Sequence, residues 1–166
     1  MDRLIAESEK EALTGEQVEA ISGCKVVVHS ELKGSIFDYF DENNAFVLLY
    51  ETISKDAGHW VSVLYYPEYN EIEFFDSYGM APDDELFYSH YDIKPLLVPL
   101  LHQSGCRIVW NTRKLQQMKH SINTCGRHAA MRVRLRNYRL QEYIKIITDS
   151  KVGPPDVLVS YLTFLY

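Results

Sequence analysis

No run in this chain approaches the roughly 20 apolar residues that a bilayer-spanning helix needs, which argues against a helical membrane protein. The first residues, Met1–Leu13 (MDRLIAESEKEAL), lack the basic leader and apolar block of a secretory signal and read as a charged amphipathic helix. Cysteine is scarce. Cys24, Cys106 and Cys125 are odd in number and irregularly spaced, so they suggest free thiols in a reducing compartment rather than a disulfide framework. Repeats, low-complexity tracts and Pro/Ser-rich linkers are absent as well. The expectation is one domain over residues 1–166, soluble, intracellular and not secreted.

With 46% hydrophobic and 24% charged residues the composition is that of an ordinary globular chain, and 12 tyrosines favour half-buried strands. The net charge of −6 conceals an uneven distribution. Ile36–Asp92 holds thirteen Asp or Glu against one lysine, Lys55, whereas Arg107–Arg139 holds nine Arg or Lys and no acid. Two readings follow: two parts of one domain that attract each other, or a basic face for a nucleic acid or an acidic partner.

Residues 2–22 read as helix in two pieces, broken at Thr14-Gly15, with Thr14 able to cap the second. Cys24–His29 is a short β-branched run. Ala45–Glu51, Trp60–Tyr66 and Glu71–Asp76 are rich in strand formers, and Pro67–Asn70 makes a turn between the last two. An antiparallel meander is the expected result. Pro82–His90 and Pro95–His102 read as helices, Cys106–Trp110 as a strand, and Cys125–Tyr138 and Leu140–Thr148 as helices. Gly153-Pro154-Pro155 breaks the chain, and Asp156 is placed to cap a last helix, Val157–Tyr166. The fold class expected is α+β, a mixed or antiparallel sheet flanked by helices.

Thiol chemistry on a peptide needs a thiolate, a base for its proton, a group to orient the base, and donors for the oxyanion. Cys125 sits in Asn123-Thr124-Cys125-Gly126, where a polar loop becomes a helix. A sulfur there meets unpaired N–H groups and the positive end of the helix dipole, which favours the thiolate. Gly126 leaves the sulfur open to a substrate carbonyl. His59 opens a strand as the candidate base, reachable from solvent yet rigidly held, and Trp60 beside it would wall a narrow channel. If residues 60–66 and 71–76 form a hairpin, the start of one strand lies beside the end of the other. That places Asp76 within reach of the His59 imidazole. Gln116 or Gln117 offers a side-chain amide to the oxyanion. Cys24 and Cys106, inside apolar runs, read as structural.

Gly58-His59-Trp60, then Phe75-Asp76-Ser77-Tyr78-Gly79, then Gln117 and Thr124-Cys125-Gly126, in this order, resemble the adenain-type cysteine peptidases. That superfamily includes adenovirus-like capsid-maturation proteases and proteases that process SUMO and related proteins. The resemblance covers roughly residues 45–138 and implies a single cysteine protease domain with Cys125 at the N-terminus of a central helix. It also implies His59 and Asp76 on the adjoining sheet, Gln117 or Gln116 at the oxyanion, and cleavage after small residues such as Gly. Trp110 is a candidate second wall. The family usually sets its glutamine nearer the cysteine, where this chain has Met118 and Lys119. The length of the chain and Cys125-Gly126-Arg127-His128 look more like the viral branch. The implied substrate is then a viral capsid precursor, met as a monomer in host cytoplasm, nucleus or virion, with no resident cofactor or metal. A DNA or peptide activator would engage the basic segment 107–139. Two alternatives remain: a deconjugating protease for SUMO- or ubiquitin-like proteins, and a non-catalytic nucleic-acid- or metal-binding module. For the latter, Cys106, His120, Cys125 and His128 can be drawn as a zinc set, though without paired C-x2-C loops.

Overall fold

The computed structural model describes residues 1–166. It is an α+β structure built on a five-stranded mixed sheet with the strands in sequence order. The strands are β1 (Val26–Val28), β2 (Ala45–Ser54), β3 (Ala57–Tyr66), β4 (Glu71–Phe75) and β5 (Arg107–Trp110). The central pairings β2–β3 and β3–β4 are antiparallel, as the meander requires, while β1 and β5 join the edges in parallel. The parallel edges follow from connectivity. β1 reaches β2 through two 3₁₀ turns, and β4 reaches β5 through a 3₁₀ turn and a helix, so each edge strand is joined to its neighbour by a crossover.

Strand alternation sorts the core into two faces. Val47, Leu49, Trp60 and Leu64 meet α2 (Gly15–Ser22) and α4 (Cys125–Arg134). Phe46, Leu48, Tyr50, Val61, Val63, Ile72 and Phe74 meet α3 (Leu97–Gln103) and the 3₁₀ segments. Because both faces are covered, β2 reads as an unbroken apolar run rather than an alternating one. Two further helices, α5 (Leu140–Thr148) and α6 (Pro155–Phe164), enclose a third cluster with Phe75 and Met131. The remaining helix, α1 (Asp2–Ser8), lies against α6. Thr14 and Gln17 close the N-terminus of α2 reciprocally, the Gln17 N–H donating to Thr14 Oγ1 at 3.2 Å and the Thr14 N–H to Gln17 Oε1 at 2.9 Å.

Three expectations shift. Residues 82–90 form only a 3₁₀ turn, Asp84–Tyr88, because Asp83 takes a positive φ of 67° and its carboxylate is bound by the Tyr50 hydroxyl and the Val98 N–H. The helix begun at Cys125 ends at Arg134, where the Leu135 and Tyr138 carbonyls turn in to accept from the Arg132 guanidinium. Asp156 falls inside the first turn of α6, and its side chain reaches away from its own helix.

What seats α4 on the sheet is a buried fork. The Arg132 Nε and Nη2 groups donate to the two Glu73 carboxylate oxygens at 2.7 and 2.9 Å, and Nη2 also reaches the Tyr66 hydroxyl at 2.9 Å. Burial alone would weaken the Arg132 charge, but the Glu73 carboxylate outweighs it and holds the guanidinium protonated. The charge asymmetry of the sequence is largely resolved in this way, since Arg107 and Arg139 both close on Glu71, at 2.5 and 2.8 Å. Arg132→Met would strand the buried Glu73 charge and should cost about 3–5 kcal/mol in urea unfolding. The double variant with Glu73→Gln should recover much of that loss.

Candidate active site

The β3–β4 ladder stops at the pair Ser62–Phe75, and beyond it the two strand ends lie side by side. There the His59 Nε2–H donates to Asp76 Oδ1 at 2.8 Å. His59 is not at an open strand edge. It is the third residue of a central strand, 4% exposed, with the Tyr78 ring stacked on it at 4.7 Å and 12°. Gly58 makes this position reachable: the register between β2 and β3 shifts after Tyr50, and a Cβ at residue 58 would lie 1.8 Å from the Tyr50 carbonyl oxygen. Only glycine lets β2 close over the backbone next to His59.

Asp76 is gripped from several directions. Its Oδ1 also accepts the Tyr78 N–H at 2.8 Å, its own N–H donates to Asn111 Oδ1 at 3.1 Å, and its carbonyl accepts Asn111 Nδ2–H at 2.6 Å. Gly79, at φ 73°, ends the tight turn that follows and packs on the Thr112 carbonyl, where a Cβ would lie 2.7 Å away. The polar loop after β5 is stitched to the same turn, because the Leu115 and Gln116 N–H groups donate to the Ser77 carbonyl at 2.8 and 2.9 Å.

Cys125 begins α4 and is buried, a free thiol close enough to the His59 side chain to act on its charge. With Nε2 committed to Asp76, Nδ1 is the nitrogen left to face the sulfur. Burial disfavours the His59 charge, but the Asp76 carboxylate, its hydrogen bond and then Cys125 outweigh that and raise the imidazole well above its ordinary 6.5. The Asp76 carboxylate thus favours the charged form of the imidazole, the form His59 takes when it accepts a proton.

The two glutamines separate clearly. Gln117 is exposed, and only its backbone N–H points inward, to Asp156 Oδ2 at 3.0 Å. Gln116 is 1% exposed, and its Oε1 accepts the Ser77 hydroxyl at 2.7 Å, which leaves its amide Nε2 with no partner in the chain. Gly126 also differs from expectation. A Cβ there would meet Trp60 Cδ1 at 3.1 Å and Leu13 and Val18 at 3.3 Å, so the glycine serves close packing of α4 under Trp60. Trp60 itself is buried beside Cys125 in the core of that face and borders a cleft with Thr14, Gly15 and Asp56. Trp110 instead lies on β5 in a separate groove with Pro82, Val98 and His102.

The drawn zinc set is dispersed: Cys106 Sγ contacts Asn70 Oδ1, His120 is exposed, and His128 Nε2 bonds Asp156. The cluster that does form is His59, Asp76 and Glu85, with donor atoms within 4.8 Å of one another. Tyr78, Glu85, Asn111 and Asp156 are not among the site residues the sequence suggests, Asp156 being expected only as a helix cap. Tyr78 was at least flagged by its place after Asp76, whereas the other three meet the site only through contacts distant in sequence.

An α+β chain with a histidine–aspartate pair facing a thiol at a helix N-terminus is thus what fold and site define. No family model matches the sequence. The chain is 36% identical over 140 residues to the uncharacterized protein V9 of Sputnik virophage, with 78% of each protein covered, and it belongs to the family of that viral protein. Two solved structures are similar at lower levels. The central domain of the uncharacterized Lpg1148 protein from Legionella pneumophila aligns with a TM-score of 0.49 at 15% identity, covering 93% of this chain and 95% of that one. The SUMO protease Ulp1, with its catalytic cysteine oxidized to a sulfinic acid, aligns with a TM-score of 0.45 at 11% identity, covering 98% and 82%.

The raised His59 value fixes the sign of a pH effect. Stability from the charged imidazole is fully present below about 6.5 and is lost as pH rises through the raised folded value. In Asp76→Asn the loss should come at lower pH, with the His59 Cε1–H resonance titrating closer to 6.5. An unchanged titration would show that Asp76 is not its counter-ion.

Proposed function

We propose that this protein is a cysteine endopeptidase in which Cys125 is the nucleophile, His59 the general base and acid, and Asp76 the group that orients His59. The observation that carries the reading is the 2.8 Å bond from His59 Nε2–H to Asp76, which commits one ring nitrogen and leaves the other for the thiol at the start of α4. In this mechanism His59 takes the Cys125 proton and the thiolate attacks the peptide carbonyl. The oxyanion rests on the Cys125 N–H and the Gln116 side-chain amide, whose unpartnered Nε2 favours it over the exposed Gln117. His59 then protonates the leaving amine, and water, activated by the same imidazole, releases the acyl group. Trp60 narrows the approach, which favours small residues such as Gly before the scissile bond.

The proposed substrate is a viral structural precursor, a capsid protein; the virophage relative supports the viral setting of that reading. A nucleic-acid activator would draw on Arg113, Lys114, Lys119 and Arg134, which are exposed and form no ion pair, because Arg107, Arg132 and Arg139 are engaged by Glu71 and Glu73. Incubation with SUMO or ubiquitin fused to a reporter separates the alternative: rapid cleavage after the terminal Gly-Gly would replace the capsid reading by deconjugation.

Labelling with an electrophilic peptide probe, with and without duplex DNA, tests the assignment. Cys125→Ala should abolish labelling and turnover, and His59→Ala should slow turnover by about 10²–10⁴-fold. Gln116→Ala should lose about 10²–10³-fold in kcat, while Gln117→Ala stays close to the parent. Activity retained in Cys125→Ala would end the peptidase reading.

A further inference from the structure

Asp156 is 1% exposed and lies on the last helix, yet its carboxylate meets both sides of the site. Oδ2 accepts the Gln117 N–H at 3.0 Å, on the loop that carries Gln116. Oδ1 accepts the Thr124 hydroxyl at 2.6 Å, immediately before Cys125, and the His128 Nε2–H at 2.9 Å from within α4. Thr124 is the N-cap residue of α4, where a threonine ordinarily turns its oxygen onto the first N–H groups of the helix. Here its side chain makes no capping bond. The N–H groups of the first turn therefore remain free for a ligand.

We infer that Asp156 is a positioning residue for the oxyanion site: it draws the Thr124 hydroxyl off the α4 N-terminus and holds the Gln116–Gln117 backbone at a fixed distance from it. The inference rests on the peptidase reading of Cys125 and assigns Asp156 no contact with substrate. His128 completes the device by fixing the carboxylate from the α4 side, and its Nδ1 is buried without a partner. Burial works against the Asp156 charge, but His128, Thr124 and the Gln117 N–H outweigh it, and the carboxyl is held below its ordinary range.

Two reactions of Cys125 in the full chain tell an oxyanion effect from a general one. Iodoacetamide alkylates the thiolate at a saturated carbon: a C–S bond forms, iodide leaves, and no oxyanion arises. The phenyl thioester of acetylglycylglycine acylates it: Sγ adds to the carbonyl carbon, its oxygen takes the negative charge, and thiophenolate leaves as the Cys125 thioester forms. Asp156→Asn should slow acylation about 10²-fold while alkylation at Cys125, read by peptide mass mapping, stays within about threefold. Thr124→Val should act in the same direction by about tenfold, and it decides the matter if Asp156→Asn fails to fold by circular dichroism.

Acylation unchanged in a folded variant overturns the role of Asp156, and so does an equal fall in both reactions, which would mark a lost thiolate or a loosened fold. A wild-type protein alkylated at Cys125 but never acylated would overturn the peptidase reading and this inference together. Acylated wild type beside unaffected variants overturns only the inference.

Discussion

Arg132 and Glu73 join the two halves of the site from beneath. Glu73 lies on β4, three residues before Asp76, and Arg132 lies on α4, seven residues after Cys125. Their fork therefore sets how far the N-terminus of α4 extends past the end of the sheet, which is the distance that decides whether a thiol meets an imidazole. A guanidinium suits this task because its planar donors match both carboxylate oxygens, fixing orientation as well as separation. The remaining Arg132 donors go to Tyr66, Leu135 and Tyr138, so the cost of burying the charge is met by direct partners.

The same pairing explains the charge pattern. An acidic first half and a basic second half fold onto each other where β4, β5 and α4 meet, and Glu71 and Glu73 between them engage three arginines. Other basic residues turn to neutral acceptors: Arg127 reaches Thr163 Oγ1 at 2.8 Å, and Arg136 reaches Asn43 Oδ1 at 2.9 Å. A block of like charge in sequence is thus compatible with a largely internal use of that charge. The exposed remainder that forms no ion pair is Arg113, Lys114 and Lys119 in the loop preceding Cys125, with Arg134 at the end of α4.

How much of this was readable beforehand depended on the range of each interaction. The hairpin was local: strand formers on either side of Pro67–Asn70 fixed a register that brought His59 to Asp76 across 17 residues. Thr14 and Gln17 were local too. The glutamine was not, because Gln116 and Gln117 are equivalent until Ser77, 39 residues away, selects the first. α4 shows the limit most clearly. Its apolar members were legible, but Arg127, His128 and Arg132 are equally buried, and their partners Thr163 and Asp156 on α6 and Glu73 on β4 lie on two other elements. Polar residues on a helix look like a solvated face until those partners are placed.

Glu85 bears on the electrostatics of the histidine. It enters the site from the 3₁₀ turn that replaced the expected helix, and its Oε2 and Asp76 Oδ2 are both buried without a hydrogen-bond partner. Two ionised carboxylates so close, each with an uncompensated oxygen, would repel strongly at low local dielectric. The strain falls unequally. Asp76 has the His59 N–H and the Tyr78 N–H on its other oxygen, whereas burial pushes the Glu85 carboxyl up, His59 opposes the shift, and Asp76 adds to it. Burial thus favours the neutral form of Glu85, while the Asp76 carboxylate keeps the two N–H donors of His59 and Tyr78. A second carboxyl can then sit against the His59–Asp76 pair without doubling the charge His59 experiences, so the base stays matched to one aspartate and one thiol.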